Sequence, residues 1–141
     1  MKKHLDIYRK NNFRNPFEYA EYLNINLIYE NLGTINGFYN KMNKHKFIHI
    51  NETITEHEKI FTCAHELGHA LLHPNINTGF LKNSTLLSVN KFEIEANTFA
   101  IHLLISDDEL NDLKEYSCGQ LAQKFGYPEN LIKLRLKERS C

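Results

Sequence analysis

The segment of residues 62–71 contains the side chains best suited to chemistry, arranged in a His-Glu-x-x-His pattern. His65 and His69 are four residues apart, so in a helix they point the same way and can bind one metal ion. Glu66 lies too far round such a helix to be a good third ligand, but its carboxylate can take a proton from a water on that metal. The pattern therefore predicts a zinc site with a general base beside it, as hydrolysis requires.

The residues around this pattern favour the zinc interpretation over a chance match. Small or apolar residues surround the two histidines, and no proline interrupts the segment before Pro74. In the alternative, His65 and His69 are ordinary polar residues on a half-exposed helix, which a chain with eight histidines allows. A third ligand elsewhere in the chain would favour the metal site.

Three other residues of this helix lie within or near the pattern: Cys63, Gly68 and His73. Cys63 lies about 200° round the helix from His65, which predicts a core thiol and not a ligand. His73 continues the four-residue spacing, but ~12 Å of helix rise separates it from His65, too far for one zinc ion with bonds of ~2 Å. Gly68 costs a helix about 1 kcal/mol relative to alanine, so it predicts close approach of another backbone or of the metal site.

A catalytic zinc site needs a third protein ligand, and a second helical segment, about residues 90–104, offers Glu93 and Glu95. Its apolar face on a helical wheel consists of Phe92, Ala96, Phe99, Ala100, Leu103 and Leu104. Glu93 falls between two members of this face, whereas Glu95 falls at the opposite flank near His102. Glu93 is therefore the predicted ligand and Glu95 the alternative. Asn97, four residues after Glu93, is a candidate to support a ligand histidine.

The elements that must position these residues begin after a polar start. Asn15 is the predicted N-cap of a short helix, and Pro16 is its predicted first residue. Three extended runs follow, at residues 25–29, 35–39 and 47–50. The polar residues 40–46 predict a hairpin loop, and the three runs together predict a small antiparallel sheet.

Capping boxes mark the starts of the later helices. Either Thr53 with Glu56 or Thr55 with Glu58 opens the helix of about residues 55–73 that carries the histidines. Further boxes and turn residues follow in the last third of the chain: Ser106 with Glu109, Ser117 with Gln120, then Gly126 as a helix end and Pro128 as a helix start. The predicted fold class is therefore α+β, with helices forming the C-terminal part.

The turn at Gly126 also allows a helix-turn-helix interpretation of the last two helices. The basic residues there are Lys133, Arg135, Lys137 and Arg139. The acidic residues Glu129 and Glu138, however, offset part of their charge. Two short amphipathic helices that pack on the core produce the same pattern. Packing is the favoured interpretation, and direct binding of nucleic acid is not expected.

Composition indicates one globular domain over residues 1–141, and the capping boxes of its last third predict a helical extension at 107–141. The chain is 42% hydrophobic and 24% charged, and its 17 basic residues balance its 17 acidic ones. A net charge of zero provides no long-range field that would gather nucleic acid. No run approaches the ~20 apolar residues of a membrane span, so no membrane association is expected.

The first residues predict a cytoplasmic location. Lys2 and Lys3 could open a signal peptide, but charged residues at 6, 9 and 10 interrupt any apolar run after them. The three cysteines, Cys63, Cys118 and Cys141, lack the spacing of a disulfide framework and agree with a reducing compartment.

These stretches together resemble the ImmA/IrrE family of metallopeptidases, which bacterial mobile elements, phages and chromosomes encode. The resemblance rests on residues 48–51, on His65 to His73, and on the Glu-Ile-Glu-Ala-Asn-Thr-Phe-Ala run at 93–100 followed by Leu103-Leu104. It covers about residues 15–106, which it implies to be the core of the domain, and the tail at 128–136 is similar as well. One departure is Ile105-Ser106, where the family commonly has Met-Pro.

The resemblance implies a zincin-like fold of the gluzincin type, with His65, His69 and Glu93 as zinc ligands and Glu66 as base. It also implies a protein substrate, typically a helix-turn-helix repressor encoded beside the peptidase, so that cleavage relieves repression of a mobile element. Two alternatives are a zincin-fold protein that sequesters a repressor or DNA without cutting it, and a toxin–antitoxin partner. The intact Glu66 argues against a pure binding protein, which needs no base.

Two features of the expected peptidase are left open by the sequence. The residue that stabilises the oxyanion is Tyr39, His49 or His102, among which the sequence does not choose. The substrate is expected to add as an extended strand to a sheet edge, for which residues 35–39 are the best candidate because Gly37 allows close backbone approach.

Overall fold

The computed structural model describes residues 1–78 and 87–137, with the backbone alone for residues 87–90. Within these residues the elements are α1 (Lys2–Lys10), α2 (Pro16–Tyr22), β1 (Asn26–Glu30), β2 (Gly37–Met42), β3 (His45–Asn51), α3 (Glu56–Leu72), α4 (Leu87–Leu104), α5 (Asp107–Asn111), α6 (Cys118–Phe125) and α7 (Glu129–Arg135). The architecture is α+β, as the sequence predicts. Arg139 and Cys141 lie outside the described residues.

The three-stranded sheet is mixed, so the prediction of an antiparallel sheet is only half right. Its order is β1-β3-β2, with β2 antiparallel to β3 and β1 parallel to β3. The chain direction alternates from strand to strand as predicted, but β3 inserts between the first two strands and therefore runs parallel to β1. The hairpin loop is shorter than predicted because Asn43 takes a left-handed conformation with φ 57°, which asparagine tolerates.

Local capping signals are observed where the sequence places them. The Asn15 side chain accepts a hydrogen bond from Glu18 N–H at 3.1 Å and so caps α2. Of the two alternatives for α3, the Thr55 and Glu58 capping box forms. The other two boxes also form, and Gly126 ends α6 in a left-handed conformation with φ 77°.

The N-terminal helix α1 is an element that the sequence did not predict. It is a polar helix with a single buried residue, Tyr8, whose ring packs against Tyr19 with centroids 5.4 Å apart. The Tyr19 hydroxyl donates to the carbonyl of His4 at 2.9 Å. Arg9 also donates to the carbonyl of His102 on α4 at 2.8 Å. Contacts with both α2 and α4 therefore hold this helix.

The helix α3 is the central element of the core. It packs on β2 and β3 on one side and on α4 on the other. Every residue from 62 to 70 is consequently buried, including both motif histidines. Cys63 is fully buried, as predicted for a core thiol, and burial raises its pKa.

The helices α3 and α4 approach each other closely at Gly68, as its cost in a helix predicts. A methyl group at this position would lie 3.1 Å from Ala96 Cα and 3.2 Å from both Ala96 O and Phe99 Cδ1. Two of these three atoms belong to the backbone of α4, which cannot move aside as a flexible side chain can. Glycine thus lets the two helices that carry the candidate ligands pack closely.

We expect Gly68→Ala to lower the free energy of unfolding by about 1–3 kcal/mol because of this overlap. The loss should appear although alanine favours a helix by about 1 kcal/mol. Urea unfolding of the metal-free protein measures it. Gly119→Ala is the control, since a methyl there would meet only side-chain atoms, with Glu129 Oε1 at 3.1 Å. Equal or higher stability of Gly68→Ala would contradict the close packing of the helices.

The last helices use their apolar surfaces to pack on the core. Leu131 and Ile132 of α7 join a buried cluster with Ile101 and Ile105. The Arg135 guanidinium donates to the Ile105 carbonyl at 2.9 Å and to a carboxylate of α5 at 2.6 Å. The helix that a helix-turn-helix would place in a groove of DNA is therefore turned towards the core. In the described part of the chain, no helix is long and apolar enough to span a membrane.

Candidate metal centre

Two neighbouring helices bring three potential metal ligands together. One ligand atom each of His65 and His69 on α3 and of Glu93 on α4 lies within 4.8 Å of the others. The two histidine Nε2 atoms are 3.2 Å apart, and the Glu93 carboxylate lies 3.1 Å from His65 Nε2 and 3.0 Å from His69 Nε2. Two imidazole nitrogens and one carboxylate oxygen are a donor set of catalytic zinc sites. The three side chains therefore fit a metal ion.

The surroundings of His69 favour the state that metal binding needs. Its side chain is completely buried, whereas that of Glu93 is 28% exposed. Burial lowers the pKa of His69, and the hydrogen bond with the Glu93 carboxylate opposes this shift. A lowered pKa keeps the imidazole neutral, which is the form of histidine that binds a metal.

Glu66 lies beside the ligand group without belonging to it. The residue is only 1% exposed, and it lines a cleft together with His65 and Glu93. The Thr78 hydroxyl lies 3.3 Å from Glu66 Oε1 and is itself completely buried. A carboxylate in this position can accept a proton from a molecule bound at the neighbouring ligands.

The cleft has a volume of about 190 Å³ and lies between α3, α4 and the start of β2. Besides the ligands and Glu66, it is lined by Asn36, Gly37, Phe61, Thr62 and Asn97. Asn97 was predicted to support a ligand histidine, but across residues 1–78 and 87–137 it forms no hydrogen bond with His65 or His69. Asn97 instead lines the cleft.

None of the three predicted oxyanion partners lines this cleft. The Tyr39 hydroxyl donates to the carbonyl of Pro74 at 2.7 Å, and the tyrosine is completely buried. His49 points to the other face of the sheet, where its Nδ1 lies 3.0 Å from Glu30 Oε1. His102 lines a separate cavity beside α1. The expectation that the oxyanion partner is one of these three residues is therefore corrected; besides the candidate ligands and Glu66, the polar residues that line the cleft are Asn36, Thr62 and Asn97.

Glu95, the alternative ligand, contacts a different histidine. Its carboxylate lies 3.0 Å from His73 Nε2. His73 is outside the ligand group, as its distance along the helix predicts, but its Nδ1 lies 3.3 Å from His69 Nδ1. This contact was not predicted, although the four-residue spacing from His69 to His73 is a signal for it. Thr78 was not predicted either, because no local pattern exists for it.

The fold and the three side chains define an α+β protein with a candidate metal site of two histidines and one glutamate. Comparison with known proteins agrees with that class. The profile of the peptidase M78 family, described as the IrrE N-terminal-like domain, matches residues 20–137. The chain belongs to this family. The matched residues include both the candidate ligands and the C-terminal helices.

Two sequence relatives and one structural relative add detail. The chain is 46% identical over 124 residues to immunity region protein 2 of Bacillus phage phi105, covering 86% of this chain and 78% of the relative. It is 32% identical over 130 residues to the metallopeptidase ImmA of Bacillus subtilis strain 168, covering 88% of this chain and 76% of the relative. A Mycobacterium tuberculosis transcriptional regulator shares the fold, with a TM-score of 0.63 and 18% sequence identity. The structural match covers 96% of this chain but only 46% of the regulator.

Proposed function

We propose that the protein is a zinc-dependent endopeptidase with a zincin-like site of the gluzincin type. The observation that carries this proposal is the convergence of His65, His69 and Glu93 beside a separate carboxylate, that of Glu66, at an open cleft. Three protein ligands leave a coordination position for water or substrate, as catalytic zinc sites require. Membership of a metallopeptidase family supports the same conclusion.

The roles of the side chains follow from their positions. His65, His69 and Glu93 would hold the zinc ion, which when bound acidifies water and polarises a carbonyl group. Glu66 accepts the proton of the attacking water and delivers it to the amine that leaves. Thr78, at 3.3 Å, restrains the Glu66 carboxylate at the cleft.

The proposed substrate is a regulatory protein, specifically a helix-turn-helix repressor of a phage or mobile element. Support comes from the relative in a phage immunity region and from the relative named metallopeptidase ImmA. With a repressor as the substrate, the proposed location of cleavage is the cytoplasm. The test is co-expression with the repressor encoded beside the gene, followed by mass spectrometry of the fragments. One discrete cut supports the proposal, whereas an intact repressor that co-purifies favours the sequestering alternative.

The substrate is proposed to add to the free edge of β2, but the available part of that edge is short. Tyr39 N–H donates to Thr78 Oγ1 at 2.6 Å, and Lys41 N–H donates to Asn77 Oδ1 at 3.0 Å. Residues two apart on a strand direct their backbone groups to the same edge, so those of Gly37 point this way too. Gly37 lines the cleft, and no described residue bonds to its backbone there. With respect to residues 1–78 and 87–137, the edge is therefore open at Gly37 and closed beyond it.

Apart from the scissile amide itself, we expect N-methylation of the cleaved peptide to slow cleavage at only one position near the scissile bond. That position is the residue whose N–H pairs with the Gly37 carbonyl, and loss of one such hydrogen bond should cost about two- to tenfold in kcat/KM. A series of peptides, each methylated at one backbone nitrogen, measures this. Sensitivity at several alternate residues would show that the substrate pairs along β2 beyond Gly37.

A further inference from the structure

A chain of three side chains leads away from the candidate metal centre into the interface between α3 and α4. His69 Nδ1 lies 3.3 Å from His73 Nδ1, and His73 Nε2 lies 3.0 Å from Glu95 Oε2. His69 and His73 are buried, and the Glu95 side chain is 37% exposed. None of these contacts is needed to bring the ligands together, since His69 Nε2 already faces Glu93 and His65.

We propose that His73 and Glu95 are positioning residues that set the tautomer and the ring orientation of His69. The inference rests on the proposed function in so far as His69 is the metal ligand. A histidine that binds metal through Nε2 carries its proton on Nδ1, so His69 must donate from Nδ1. His73 must then accept at its own Nδ1, carry its proton on Nε2 and donate that proton to Glu95.

The carboxylate of Glu95 therefore selects one of two tautomers of His73. With the proton on its Nδ1, His73 would present a donor to the Nδ1–H of His69, and the two N–H groups would repel one another. The Phe92 ring adds a steric restraint, because it meets the His73 ring edge-on with centroids 4.7 Å apart. Partners behind a metal-binding histidine orient its ring and raise its basicity as a ligand.

The chain offers a matched pair that has the same chemistry but no contact with the ligands. His49 Nδ1 lies 3.0 Å from Glu30 Oε1, the same separation as between His73 and Glu95, and His49 is on the other face of the sheet. Substitutions of His49 and Glu30 thus remove a histidine–carboxylate pair without touching the candidate centre. They serve as controls for general effects of losing such a pair.

The first measurement uses the metal-free full chain and does not depend on zinc or on cleavage. Nitrogen-15 NMR of the imidazole groups should show His73 with its proton on Nε2 and its Nδ1 unprotonated. In Glu95→Ala, this preference should weaken. A His73 that carries its proton on Nδ1 in the unmodified protein would overturn the proposal.

The second measurement is zinc affinity by competition with a chelator. His73→Phe should weaken zinc binding by about 10- to 100-fold, and Glu95→Ala by about tenfold. The double variant should bind no more weakly than His73→Phe, because Glu95 acts through His73. His73→Gln should retain more affinity than His73→Phe, since an amide can accept from His69 and donate to Glu95. His49→Phe and Glu30→Ala should bind zinc like the unmodified chain.

Additive losses in the double variant would overturn the proposal, as would equal losses in the His49 and Glu30 controls. Glu95→Ala changes a partly exposed side chain, so it should fold even if His73→Phe does not. Failure of the proposed peptidase function would appear as absent cleavage with intact zinc binding. Failure of this inference would instead appear in the tautomer and in the affinity of the variants.

Discussion

Glu66→Gln should retain about one zinc ion per chain and lose cleavage by about 10²–10⁴-fold, the usual contribution of a general base. Glutamine has nearly the same shape, and its amide oxygen can still accept from the Thr78 hydroxyl, which lies 3.3 Å from the carboxylate. It cannot take a proton from water at neutral pH. Zinc content by elemental analysis and fragment yield by mass spectrometry measure the two effects separately.

Glu56→Gln is the matched control, because Glu56 also lies on α3 but its side chain is 82% exposed. It should cut at the rate of the unmodified chain. Equal cleavage by the Glu66→Gln variant would remove Glu66 from the mechanism. Loss of zinc together with cleavage would instead show that Glu66 contributes to the metal centre itself.

Glu93→Ala should weaken zinc binding by about 10²–10³-fold. A four-ligand zinc site binds with roughly 10–16 kcal/mol, so an equal share is about 2.5–4 kcal/mol for each ligand. The geometry supports a ligand role, since the Glu93 carboxylate is within 3.1 Å of both histidine Nε2 atoms. Chelator competition measures the loss, with His69→Ala as a reference for removal of a ligand.

Glu95→Ala is the most direct comparison for this result, because it also removes a carboxylate from α4, two residues away. Its carboxylate contacts His73 and not the ligand group. Its loss should therefore cost only about tenfold in zinc affinity. If Glu95→Ala loses the metal and Glu93→Ala keeps it, the ligand role moves to Glu95.

Features that depend on neighbouring residues alone were within reach of the sequence. The spacing of His65 and His69 places both rings on one side of α3, because helix geometry is local. The capping boxes and the Gly126 helix end follow for the same reason, since each joins groups within one turn. The free-energy cost of Gly68 in a helix also indicated close packing, but it did not identify the element that packs there.

Tertiary structure alone decided which groups meet across elements. It brought Glu93 of α4 to the histidines of α3, and it placed β3 between β1 and β2. It turned Tyr39 and His49 away from the cleft, although their residue types suit an oxyanion partner. Contacts of this kind depend on how helices and strands pack over long sequence separations, where burial of apolar surface outweighs local preference. The link from Glu95 through His73 to His69 arises in the same way, because it exists only where α3 and α4 pack together.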